Sequence, residues 1–265
     1  MKTKTTPTAT TEKTATTGAT RLLREHLAYL KLGDIAEQCE PLAADAATKG
    51  WAHLDYLQRL VEGESRARQG RAIERRVRAA RFPVVKTMDQ FRWDWPKKIN
   101  EMQVKNLFRL TFVEKKTNVV VMGGVGLGKS HIASALGYEA CQRGHTVLFT
   151  TAIDALNNLV AAQAAQRLKV ELKRYLAPAV LVLDELGYLP LDKTGADLLF
   201  QIISQRYERG TLIITTNKAY KNWPEIFNHD AGISSAILDR VLHHAETVVI
   251  EGKSYRMKDQ IEPPN

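Results

Sequence analysis

The 265-residue sequence predicts an α/β fold: a five-stranded parallel sheet flanked by helices, preceded by a small all-helical domain. Three observations carry this. From residue 118 onward, short apolar runs at 119–122, 146–150, 180–184, 212–216 and 247–250 alternate with helical stretches, and each run is continuously apolar, as in strands covered on both faces. The first run leads through a glycine-rich turn into a helix. Between 21 and 80, leucines recur at helical spacing instead.

Taken in order, residues 1–20 hold ten threonines and no apolar stretch, and read as a disordered tail. Residues 21–82 read as a helical domain. One stripe is Leu22, Leu23, Leu27 and Leu30; a second is Trp51, Leu54, Leu57, Leu60 and Val61; both are expected to build a small core, punctuated by Gly33 and Gly50. The second helix continues into Arg66, Arg68, Arg71, Arg75, Arg76, Arg78 and Arg81, dense enough to suggest phosphate contact through Arg75, Arg76 and Arg78. Phe82-Pro83 ends it. Residues 83–100 read as a linker whose Phe91, Trp93 and Trp95 dock on the next domain rather than stack on bases. Residues 101–117 form a helical lead-in, and the larger domain spans 101–265.

Composition narrows the class. A hydrophobic content of 44% is that of a packed globule. Cys39 and Cys141 are too few and too far apart for a disulfide framework. No run reaches the roughly 18 apolar residues of a membrane span, so a cytoplasmic protein without a membrane partner is expected. A net charge of +9 points to nucleic acid.

The chemistry is concentrated at strand ends. Gly123, Gly124, Val125, Gly126, Leu127, Gly128, Lys129 and Ser130 fit the phosphate-loop pattern, with an apolar run before them and a helix opening at His131 after them. Such a loop turns backbone N–H groups onto an anion at a helix N-terminus. Lys129 is expected to reach the β- and γ-phosphates, and Ser130 to ligate Mg²⁺. The run at 180–184 ends in Asp184-Glu185, a Walker B arrangement in which Asp184 holds Mg²⁺ and Glu185 polarises the attacking water. A full strand–helix unit separates the two motifs in sequence, as in triphosphatases whose sheet has an extra strand between them. Asn217, after the fourth run, is placed to orient the water. Arg240 is a candidate trigger at the γ-phosphate of an adjacent subunit, and Arg256 a candidate nucleotide sensor. On a helix, the adjacent His243 and His244 diverge by about 100°, and read as structural rather than as a metal pair.

These landmarks resemble the IstB-type transposition helper ATPases of the AAA+ superfamily, which are related to DnaC and DnaI helicase loaders and to DnaA. The resemblance covers the chain after residue 20. It rests on Leu30-Lys-Leu32, Ala79-Ala-Arg-Phe82, Gly128-Lys-Ser-His131, Leu183-Asp-Glu-Leu-Gly-Tyr-Leu-Pro190, Arg206-Tyr-Glu-Arg209, Thr215-Thr-Asn217, Leu238-Asp-Arg-Val-Leu-His-His244 and Glu251-Gly-Lys-Ser-Tyr-Arg256. The family commonly shows Gly-Pro-Pro-Gly-Val-Gly-Lys-Thr in the loop, where this chain has Gly124-Val125 and Ser130; Ser and Thr serve Mg²⁺ alike. The resemblance implies an AAA+ P-loop ATPase domain that uses ATP and Mg²⁺, a homo-oligomer with ATP at its subunit interfaces, Arg240 as a finger acting in trans, double-stranded target DNA, and a transposase partner of IstA type. It also implies a second helix after the second strand, within 152–176, from which Arg167, Lys169, Lys173 and Arg174 face DNA. The alternatives are a DnaC-like helicase loader and a nucleotide-switched scaffold in which hydrolysis is incidental. A small-molecule phosphotransferase has no visible acceptor-binding lid and leaves the basic arm unexplained.

Overall fold

The computed structural model describes residues 20–95 and 98–255. They divide into two compact units, between Ala72 and Ile73.

The first unit is helical: α1 (residues 20–29), α2 (Gly33–Lys49) and the first part of α3 (His53–Ala80). Gly50 closes α2 in the left-handed region at φ 64° and donates its N–H to the Ala46 carbonyl. The expected core is only partly formed. Leu27, Cys39 and Leu60 are buried, with Leu32, Ile35, Ala36, Leu42 and Tyr56 packed around them. Leu22, Leu23, Leu30, Leu54, Leu57 and Val61 are exposed. The stripes are there, but each helix covers only one narrow face, and so few residues cannot enclose more.

Part of the arginine run serves this unit. Glu64, buried, accepts from the N–H groups of Asp34 and Ile35 at 2.9 and 3.4 Å, capping the first turn of α2. Arg71 donates to the same carboxylate at 3.0 Å, and Arg68 lies 3.7 Å from it. Burial pushes the Glu64 carboxyl up; the two N–H groups and Arg71 outweigh it and hold the pKa below its ordinary value.

In the second unit, β1 (Asn118–Gly123), β2 (Val147–Thr151), β3 (Val180–Leu186), β4 (Thr211–Thr216) and β5 (Ala245–Ile250) form one parallel sheet in the order β2-β3-β4-β1-β5. β4 therefore lies between the strand of the phosphate loop and the strand of the acidic pair, as the motif order predicted. Alternate strand residues feed two cores. Val120, Leu148, Leu181, Leu183 and Ile214 pack on α7 (Ala152–Ala164), α8 (Leu168–Leu176), α9 (Lys193–Arg206) and α10 (Ala231–Leu242). Val119, Val121, Phe149, Val182 and Ile213 pack on α4 (Glu101–Leu107), α5 (Thr111–Glu114) and α6 (Lys129–Gln142). Two helices do follow β2. β5 is the exception to two-sided burial: it is an edge strand, and Val249 is exposed.

The end of α3 belongs to this second unit, before the domain boundary expected at 82. Val77, Ala80 and Phe82 pack on the second core, so the chain joins that unit inside the helix. Arg81, at φ 60°, ends α3 ahead of Pro83. The linker aromatics also dock here: Phe91 is buried, and Trp93 packs beside it at a centroid distance of 4.9 Å.

Arg206 is the most deeply buried arginine of the described residues, at 2% exposure. Its guanidinium donates to the carbonyls of Tyr175, Leu176, Pro178, Ala179 and Thr211 at 2.8–3.3 Å. It thus caps the C-terminal end of α8 and ties it to the start of β4. Burial pushes its pKa down to about 10, so it stays charged at neutral pH. Arg206→Met strands those carbonyls and is expected to cost about 3–5 kcal/mol, read as a fall in the urea midpoint at unchanged m-value. A change below about 1 kcal/mol would mean that water replaces the guanidinium.

Candidate functional site

Gly123 ends β1, and Lys129 begins α6. The turn between them is possible because Gly126 and Gly128 sit at φ 73° and 88°, where a Cβ is disfavoured. A Cβ on Gly128 would also stand 2.7 Å from the Phe91 ring. Within the turn, Val125 is exposed and Leu127 is buried. Lys129 is 5% exposed, and its Nζ donates to the Gly124 carbonyl at 2.7 Å and to the Tyr188 hydroxyl at 3.4 Å. Phosphate oxygens entering the loop compete with these two contacts.

The acidic pair is not simply a strand end. β3 continues to Leu186, and its register with β4 slips between Leu183 opposite Ile214 and Leu186 opposite Thr216. Asp184 and Glu185 therefore face the single residue Thr215, a β-bulge. Glu185 sits at φ 62°, a strained position for a non-glycine residue. The bulge separates the two carboxylates: Asp184 is 6% exposed, and Glu185 faces solvent. The inserted residue is what parts them.

Thr215 holds the arrangement together. Its hydroxyl donates to Asp184 Oδ1 at 2.5 Å and accepts from the Glu185 N–H at 2.9 Å. Ser130 Oγ donates to the same Asp184 oxygen at 2.9 Å. One hydroxyl thus holds the Asp184 carboxylate and the Glu185 backbone. It is missed from the sequence alone, because a threonine ending an apolar run has no local mark of this role. Asn217 follows β4 between the two motif strands, and its Oδ1 is buried without a hydrogen-bond partner among the described residues. Asn217 is not among the residues that line the cleft beside these motifs.

The donor set suits the expected ligands. Ser130 Oγ and the Asp184 carboxylate are hard oxygen donors already in contact, which is the chemistry Mg²⁺ takes. The cleft measures about 600 Å³, enough for a nucleotide. Gly126, Leu127, Gly128, Lys129, Ser130, His131, Asp184, Glu185 and Tyr188 line one part of it, and Pro83, Val84, Phe91, Trp95 and Tyr255 contribute apolar walls. Those walls were not anticipated as ligand contacts. His131 braces them: its Nε2 bonds the Thr87 carbonyl at 2.8 Å, and its ring meets Phe91 edge-on at 5.4 Å. Burial lowers the His131 pKa, outweighing the opposing effect of the Thr87 carbonyl. The C-terminal segment closes over the loop, with the Tyr255 N–H donating to the Gly126 carbonyl at 3.0 Å and Trp95 Nε1 to the Lys253 carbonyl at 3.1 Å. Arg256 lies outside the described residues.

Arg240 does not line this cleft. It lies near the end of α10, with Nη1 on the Ala236 carbonyl at 2.9 Å and its guanidinium 4.9 Å from the Phe200 ring centre. The expected DNA contacts divide. Arg76 donates to the Cys141 carbonyl at 2.8 Å, and Arg174 pairs with Glu171 at 3.0 Å, so both serve internal partners. Arg75, Arg78, Arg167, Lys169 and Lys173 are exposed. The divergence expected of His243 and His244 is corrected: His243 still has helical dihedrals as the C-cap of α10, yet the two rings stand 4.2 Å apart.

Comparison with known proteins agrees with this geometry. The chain is 38% identical over 240 residues to the IS21 putative ATP-binding protein of Pseudomonas aeruginosa, covering 91% of this chain and 87% of that one. It is 35% identical over 238 residues to the IS5376 putative ATP-binding protein of Geobacillus stearothermophilus, covering 90% and 94%. The fold is similar to the crystal structure of DnaI, with a TM-score of 0.54 over 65% of this chain and 93% of that one, at 18% identity. The second unit thus shares the fold of that structure, and no helix of the described residues is long and apolar enough to cross a membrane. A family model described as IstB-like ATP binding protein matches residues 25–263. With the phosphate loop, the bulged acidic pair and these relatives in agreement, the chain belongs to the IstB-like family of insertion-sequence ATP-binding proteins.

Proposed function

We propose that this protein hydrolyses ATP while assembled on double-stranded target DNA, and thereby assists a transposase of IstA type. The observation that carries the hydrolytic part is the Ser130–Asp184–Thr215–Glu185 chain of contacts beside Lys129. Mg²⁺ held by Ser130 and Asp184 supplies charge neutralisation at the phosphates when bound. Lys129 binds the β- and γ-phosphates, Glu185 takes the proton of the attacking water, and Asn217 orients that water.

A complete site needs a cation at the γ-phosphate, and Arg240 does not line its own cleft. An adjacent copy is the natural recipient of its guanidinium, which makes hydrolysis dependent on a homo-oligomer. Arg240→Ala is expected to lower turnover about a thousandfold. Mixing it with Lys129→Ala, itself inactive, should restore a measurable rate, because one copy supplies the finger and the other the loop. A mixture as inactive as its components places Arg240 in cis.

DNA engagement rests on the exposed Arg75, Arg78, Arg167, Lys169 and Lys173, together with the net charge of +9. The test is equilibrium binding to matched duplex and single-stranded DNA with Mg²⁺ and either ATP or ADP, at two salt concentrations. Duplex binding that requires ATP and falls steeply with salt supports this reading. A preference for single strands replaces it with the helicase-loader reading.

A further inference from the structure

We propose a second divalent-cation site, separate from the nucleotide cleft and formed by Glu208, His243 and His244. One ligand atom from each of the three lies within 4.8 Å of the other two. His244 Nε2 is already 3.9 Å from Glu208 Oε1. A tetrahedral zinc ion with Zn–N bonds of about 2.0–2.1 Å holds its donors roughly 3.3 Å apart. All three side chains are exposed, so small rotations suffice to close the remaining distance.

The backbone assembles the cluster from two places. Glu208 sits at φ 57° in the turn after α9, and His243 caps the C-terminal end of α10. The His244 carbonyl accepts from the Asn118 N–H at 2.7 Å, while Asn118 Nδ2 donates to the Val241 carbonyl at 3.0 Å. The histidine pair is therefore anchored to β1, and its position is fixed before any metal arrives. The negative end of the α10 dipole also favours a cation there.

Tyr207 supplies the supporting contact that histidine ligands normally have. Its hydroxyl lies 2.7 Å from His243 Nδ1. Ligation through Nε2 keeps this bond, with Nδ1–H donating to the phenol oxygen and setting the tautomer. Two imidazoles and one carboxylate select a borderline cation such as Zn²⁺, Co²⁺ or Ni²⁺ over Mg²⁺, which takes oxygen ligands. Three protein ligands leave at least one coordination position for water or for a group from another molecule. An ion here joins the turn after α9 to the end of α10, the helix that carries Arg240.

The test uses the untagged full-length protein without nucleotide. Co²⁺ is titrated and its visible ligand-field absorption followed, and Zn²⁺ affinity is then measured by competition with a chromophoric chelator. The expected result is one Co²⁺ per chain with His/carboxylate bands, displaced by Zn²⁺. His244→Gln and Glu208→Gln should each weaken binding at least tenfold, with unchanged circular dichroism. Tyr207→Phe should weaken it less but measurably, which a purely surface-adsorbed ion would not show. Asp184→Asn should leave it unaltered. Equal binding by wild type and His244→Gln, or loss only in Asp184→Asn, overturns the proposal, as does absence of binding at micromolar metal.

Discussion

Glu185→Gln is expected to lower ATP turnover by about 10²–10³-fold while leaving ATP affinity within a few-fold of wild type. The amide keeps the size of the side chain and removes only the proton acceptor. The bulge is set by backbone register and by the Thr215 bond to the residue's own N–H, and neither involves the side-chain carboxylate. Single-turnover rates and equilibrium binding of a fluorescent ATP analogue separate the two quantities. Undiminished turnover would dismiss Glu185 as the base and leave the strain at φ 62° without a catalytic use. A parallel fall in affinity would mean that the substitution disturbs the loop through Asp184.

Lys129→Ala is expected to weaken ATP binding about 10²–10³-fold, and with it every nucleotide-dependent property. A buried ammonium facing phosphate contributes a charge-assisted contact in a site largely shielded from water. The loop itself should survive, because its shape comes from Gly126 and Gly128 and from packing on Phe91. Thermal unfolding without nucleotide is therefore expected to match wild type or to rise, since the buried charge is gone. The stabilisation that ATP confers on wild type should disappear. ATP-dependent stabilisation equal to wild type would sink the assignment of Lys129 as the phosphate contact.

Much of the nucleotide site is visible in the chain because its chemistry is local. Eight consecutive residues make the loop, two make the acidic pair, and continuous apolar runs mark the strands that carry them. The order of those runs even places β4 between the motifs, since parallel strands require crossovers and the motif spacing counts them. What escaped was non-local. Thr215 looks like any strand hydroxyl until register sets it against Asp184 and Glu185. Phe91, Trp95 and Tyr255 are far apart in sequence and meet only where the linker and the C-terminal segment close on the loop. The leucine stripes of the first unit were real, but periodicity does not say how much of a face a neighbour will cover.

By itself the sequence determined the fold class, the family, the phosphate loop and the acidic pair, because each depends on residues adjacent in the chain or on a pattern repeated along it. Only the tertiary structure decided which charges are free to act. Arg76, Arg174 and Arg206 read like their neighbours in the chain, yet each is held by an internal carbonyl or carboxylate. It also decided that Asp184 and Glu185 part at a bulge, and that His243 and His244 converge beside Glu208. The physical reason is common to all of these: the partner that fixes a side chain lies on another element, and its distance is set by packing and register rather than by position in the sequence.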